Sequence, residues 1–152
     1  MATAELRELL AGSALFGALP EDLLDRVVAK LQLATFKLGE SVLRQGQAGD
    51  SFYIVGSGKV RIVDERSENP VTLAVLKRGD SFGEQALLYG KEVSATVRAA
   101  GNVVLYGLAA ADFGALVDAS PELRHRIDDA STRQREFNFL KTQNLLAGLT
   151  TA

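Results

Sequence analysis

The chain has 152 residues, 47% of them hydrophobic, with a formal net charge of -2 and a pI near 5.5, enough for one compact domain with a single core and too short for two. It has no block of Lys or Arg, no cysteine and a single histidine, His125, so direct nucleic-acid binding, disulfides and thiolate metal sites are excluded, a histidine-rich metal site nearly so, and no cofactor is expected. No basic segment followed by an apolar run opens the chain and no stretch approaches membrane-spanning length, which sets the expectation of a cytoplasmic domain without membrane insertion.

In chain order, "AELRELLAGSALFGALPEDLLDRVVAKL" places Leu at helical intervals, and Pro20 followed by Glu21 and Asp22 makes a helix entry, so two short helices are predicted over 4–31. From about Thr35 the pattern changes to short runs rich in Val, Ile, Phe and Tyr: "SVLRQG", "SFYIVGSG", "KVRIVDE", "VTLAVLKRG" and "NVVLYGLA". Gly39, Gly46, Gly49, Gly56, Gly58, Gly79 and Gly90 fall at the breaks and read as corners where positive φ is cheap, which suits a small rolled sheet over 34–109. Helical spacing returns over 110–143. "AAADFGALVDA" forms one helix, and a longer one opens with Ser120 as N-cap and Pro121 at the first helical position, with Leu123, Ile127, Ala130, Phe137 and Leu140 as an interrupted apolar stripe.

The last residues, 144–152, carry a weaker signal. Leu140, Leu145, Leu146 and Leu149 repeat the spacing of Leu10, Leu15, Phe16 and Leu19, as an amphipathic tail or as the start of a second tandem copy in a longer protein.

The chemistry concentrates in "GDSFGEQALLYGKEVSATVRA". Gly79-Asp80 breaks a strand, and "EQALLY" is a run of good helix formers, so a helix of one to two turns should start near Gly83 with free amides at its beginning. Gly83 lets an oxygen approach the backbone, and the Glu84 carboxylate can accept hydrogen bonds from a pair of hydroxyls such as those of a ribose. The same residues would equally serve a plain turn and a helix dipole.

The wider pattern, Gly46 to Gly58 as G-x-x-G-D-S-F-Y-I-V-x-x-G and Phe82 to Leu88 as F-G-E-x-A-L-L, resembles the cyclic nucleotide-binding domain of catabolite-activator-type regulators, kinase regulatory subunits and gated channels. The resemblance covers essentially the whole chain. It implies an α+β, mainly β fold, an eight-stranded antiparallel jelly-roll-like β-roll flanked by N- and C-terminal helices, as one domain over 1–143. It also implies a phosphate-binding cassette over 82–96 and a C-terminal helix that acts as a movable lid. The implied ligand contacts are Gly83, Glu84, Gln85, Ala86, Val93, Ser94 and Ala95, with backbone amides of Gly83 and Ala86 at the phosphate and Glu84 on the ribose 2'-hydroxyl. Val71, Leu73 and Val97 are implied as apolar walls for the base.

One position departs from the family pattern. Directly before the small residue Ser94 the family places an arginine that pairs with the phosphate oxygens, and here the residue is Val93. A guanidinium hydrogen bond to an anion contributes about 1.5–3 kcal/mol, and Glu92 adds a neighbouring negative charge. Weak or altered ligand binding is therefore expected, with Lys91 and Arg98 as the candidate substitute cations. No catalytic arrangement stands out, so an enzyme is not expected. The function implied is a non-catalytic regulatory domain for a cyclic nucleotide or a related small polar molecule, controlling an attached effector or a second copy. Dimerisation through the C-terminal helix is a further option. The alternative is a degenerate domain that docks or spaces parts of a larger protein such as a transporter.

Overall fold

The computed structural model describes residues 3–13, 15–17, 19–66, 68–90 and 92–129. Helix α1 (Thr3–Ala11) and helix α2 (Glu21–Lys30) precede the sheets. In α2 the acidic pair Glu21 and Asp22 sits in the first turn and Lys30 in the last, each complementing the helix dipole, while Leu23, Leu24, Val27 and Val28 form one buried face. An Arg7–Asp25 ion pair of 3.3 Å joins the two helices.

Eight strands follow: β1 (Gln32–Phe36), β2 (Ser41–Leu43), β3 (Ser51–Ser57), β4 (Val60–Asp64), β5 (Val71–Leu76), β6 (Ser81–Phe82), β7 (Thr96–Ala99) and β8 (Val103–Ala109). Helix α3 (Glu84–Tyr89) interrupts them between β6 and β7, and α4 (Ala110–Ala119) comes after β8. A further helix, α5, runs over 121–129. The strands form two four-stranded antiparallel sheets, in the orders β1-β8-β3-β6 and β2-β7-β4-β5. The predicted α+β, mainly β roll is the fold observed.

Two cores lie on the two sides of the first sheet. Alternation along β3 sends Phe52 and Ile54 to the helical side, where they pack with Phe16, Phe113, Leu123 and Ile127, and sends Val55 into the roll beside Leu105 and Val60. Phe52 meets Phe16 edge-on at 5.4 Å and stacks on Phe113 at 5.0 Å, which locks the helices to the sheet. The expected Ser120 cap is present: its Oγ accepts the Leu123 amide at 3.3 Å at the start of α5. Ala130, Phe137, Leu140 and the 144–152 tail lie outside the described residues.

The glycine corners divide into two kinds. Gly39, Gly46, Gly58, Gly79 and Gly90 take positive φ as expected, but Gly49 and Gly56 do not. Close approach explains those two: a Cβ on Gly49 would stand 2.6 Å from the Ala86 Cβ, and one on Gly56, inside β3, would stand 2.5 Å from the Tyr106 ring.

Candidate functional site

Helix α3 opens at Gly83, whose φ of 95° is left-handed, and a Cβ there would stand 2.8 Å from the Ser51 carbonyl oxygen. Only glycine meets both conditions. The turn brings Glu84, Gln85 and Ala86 to the rim of a cavity of about 290 Å³.

The opposite rim is the segment leading into β7. Its backbone is pinned by the loop after β2: the Gly46 amide donates to the Val93 carbonyl at 2.9 Å, and the Val93 amide donates to the Gln47 carbonyl at 2.8 Å. Gln45 Nε2 donates to the Ser94 carbonyl at 3.0 Å. The loop is anchored in turn by Thr96, fully buried, whose hydroxyl accepts the Gln45 amide at 3.0 Å and donates to Glu65 Oε2 at 2.9 Å. That hydroxyl, together with Arg98, holds the Glu65 carboxyl below its usual range.

Replacing Thr96 by valine keeps the shape and strands the Gln45 amide. A loss of about 1–3 kcal/mol is expected in chemical denaturation, and faster amide exchange at Gly46 and Val93 would show that the rim loosens with it.

The floor follows from strand register. Leu43 of β2 stands opposite Val97 of β7, Val97 opposite Ile62 of β4, and Ile62 opposite Ala74 of β5, so one row of apolar side chains crosses the second sheet beneath the cavity. Val97 was expected there. Val71 and Leu73 were expected as walls but do not line the cavity. The register shifts between Ile62 and Val63, opposite Leu73, and it is Ala74 and Leu76 that β5 presents to the cavity.

All seven residues singled out in the sequence, Gly83, Glu84, Gln85, Ala86, Val93, Ser94 and Ala95, line this one cavity. Val93 is 7% exposed and presents its side chain to the interior. Glu92, in contrast, is exposed and does not line the cavity, so its charge does not face the interior as the sequence suggested. Arg98 is also absent from the lining: its guanidinium pairs with Glu65 at 2.5 Å, on the same side of β7 as Thr96 and opposite Val97. Lys91 lies outside the described residues.

Among the described lining residues Glu84 is the one charged side chain. It is 9% exposed, its Oε2 has no hydrogen-bond partner, and burial raises its carboxyl above the ordinary value, opposed only by its own backbone amide. A buried carboxylate oxygen without a partner is a standing demand for a hydrogen-bond donor.

The far end of α3 reaches the C-terminal helix. Tyr89 donates its hydroxyl to Asp128 Oδ1, Arg124 lies 6.0 Å from the centre of the Tyr89 ring, and Arg124 pairs with Asp128 at 3.6 Å. A displacement of α3 therefore bears directly on α5.

Residues 33–120 match the cyclic nucleotide-binding domain family. The chain belongs to that family. It is 38% identical over 116 residues to a cyclic nucleotide-gated potassium channel of Mesorhizobium japonicum, covering 76% of this chain and 31% of the channel. It is 29% identical over 136 residues to a cGMP-dependent protein kinase of Drosophila melanogaster, covering 87% of this chain and 15% of the kinase. The solved regulatory domain of Toxoplasma gondii PKA with cAMP superposes with a TM-score of 0.75 at 31% identity, over 79% of this chain and 46% of that one. The chain thus spans less than a third of each of these curated relatives.

Sequence reasoning missed the cavity-lining Leu43, Ile62, Ala74 and Leu76 of this cyclic nucleotide-binding domain, together with Ser81. The signal of the first four is the pairing of β2, β7, β4 and β5, which no local window contains. No helix among the described residues is long and apolar enough to cross a membrane.

Proposed function

We propose that this cyclic nucleotide-binding domain is a non-catalytic regulatory module with altered ligand preference, its cavity coupled through α3 and α5 to an attached effector or second copy. The observation that carries this reading is the charge of the cavity: it holds the Glu84 carboxylate and, where the family pattern calls for a phosphate-pairing arginine, the apolar Val93. A cyclic monophosphate is an anion at every physiological pH, and burying an anion without a counter-charge costs several kcal/mol. A micromolar site weakened by about 3–5 kcal/mol falls to the millimolar range.

The alternative of an empty spacer domain is less well supported. A space of about 290 Å³ remains between Gly83, Ala86 and Val93, and the rim is held by hydrogen bonds from three residues of one loop. A spacer needs neither. The proposed chain of contacts runs from the cavity through Glu84 and α3 to Tyr89, then to Asp128 and Arg124.

Isothermal titration with cyclic AMP and cyclic GMP tests the reading. The expected result is no saturation below about 1 mM, the range into which the lost arginine places the site. Low-micromolar binding of either would overturn it.

A further inference from the structure

We infer that β1 is an interface between two copies of this chain, pairing antiparallel with its own counterpart about a two-fold axis at Ala34 and joining two four-stranded sheets edge to edge. The inference goes beyond the proposed function and does not depend on what the cavity binds.

The two sheets end in the edge strands β1, β6, β2 and β5, and three of these are blunted. β6 has two residues, β2 has three with a register shift in its ladder, and the β5 ladder is broken between Ile62 and Val63. β1 differs. It runs for five residues against β8 without a break in register, contains neither proline nor charge, and leaves Leu33 65% exposed.

Strand alternation decides which backbone groups of β1 face outward. Val55 turns its amide and carbonyl away from β8, toward Asp80 and Gly79, so it is the neighbouring Ile54 that bonds Tyr106 across β3 and β8. Leu105 and Gly107 then face β1 and meet Ala34 and Gln32. Leu33 and Thr35 are left with amide and carbonyl pointing off the edge.

These groups complement themselves. With the axis at Ala34, Leu33 of each copy stands opposite Thr35 of the other, and every outward group of both residues finds a partner. An axis at Thr35 would bring in the Lys37 amide, already bonded to Glu40 Oε1 at 2.7 Å. An axis at Leu33 would bring in the Leu31 amide, already bonded to the Val27 carbonyl at 3.1 Å. The Ala34 register also sets the two Leu33 side chains diagonally across the axis, where each covers the other. This match of register and side chain selects a second copy as the occupant. The contact is small: one short strand pair lies well below the roughly 1,200–2,000 Å² of a stable interface. The dimer is therefore weak and forms where copies are concentrated, as when other parts of a larger assembly tether them.

Sedimentation equilibrium of the full chain tests this. The average mass should climb from monomer toward dimer between about 10 μM and about 1 mM, the range of a small interface. Thr35→Pro removes an outward amide at a position where the ladder to β8 loses nothing; it should abolish the climb while the thermal melt stays cooperative. Leu33→Lys sets like charges across the axis and should weaken association by about tenfold or more. Amide exchange reads the register: over the same concentration range Leu33 and Thr35 should slow, while Ala34 and Phe36 should not change. If Thr35→Pro does not fold, Leu33→Lys and the exchange pattern decide alone. A chain still monomeric at about 1 mM overturns the inference. A dimer that survives both substitutions also overturns it, because the contact then lies on another surface. Loss of the dimer in Leu33→Lys alone would mean apolar contact without strand pairing, and overturns it as well.

Discussion

Exchanging Val93 for arginine is expected to raise the affinity for cyclic AMP by about a hundredfold or more. Val93 sits on the cavity wall with Gly83 and Ala86, and its backbone is clamped on both sides by Gly46 and Gln47, so the substituted side chain starts from a fixed point. A guanidinium there would donate two parallel charge-assisted bonds, each contributing about 1.5–3 kcal/mol, and it would also neutralise the repulsion from Glu84. The cavity of about 290 Å³ gives the longer side chain room. Some packing is lost, since Val93 belongs to the core inside the roll, and overpacking typically costs about 1–3 kcal/mol.

Melting curves without ligand separate that cost from the gain in binding. Lysine at the same position should give a smaller gain, because an ammonium is a point charge without the planar fork. If arginine yields no gain in a protein that still melts cooperatively, the amides near Gly83 and Ala86 are not placed to hold a phosphate.

The roll and its cradle were legible to different depths. Strand β3 announces itself because "SFYIV" alternates between two buried environments, and Gly83 and Glu84 announce themselves because a left-handed turn and a helix start leave local signatures. Strand β1 is harder to see, since Leu33 points outward and is exposed, and β6 has only two residues. In β7, Arg98 interrupts the apolar run for a partner, Glu65, that lies 33 residues away in sequence. The site divides in the same way. Its rim could be found from motifs, whereas its floor is a row across four strands whose order, β2-β7-β4-β5, is not contained in any segment. The same holds for charge: Glu92 and Arg98 are neighbours of the cradle in sequence, and strand parity and ion pairing put both outside it.

Glu84→Gln should make the unliganded protein more stable at neutral pH, with a gain of about 2 kcal/mol and a melting temperature higher by about 4–8 °C. The sign follows from linkage. Burial raises the folded-state pKa of Glu84 above its ordinary 4.5, so the unfolded chain ionises first as pH rises, and folding becomes less favourable from about pH 4.5 up to the folded-state value. Below that window both states carry a neutral carboxyl and the penalty vanishes. Glutamine has the same shape and no charge, and it can still accept the backbone amide that Glu84 accepts.

The difference between variant and parent should therefore be close to zero at pH 4, grow as pH rises above about 4.5 and level off above the folded-state value, as read from paired thermal melts in one buffer series. No second charged side chain lines the cavity among the described residues, so the slope belongs to Glu84. A variant no more stable than its parent at pH 7 would mean that the carboxylate already has a partner.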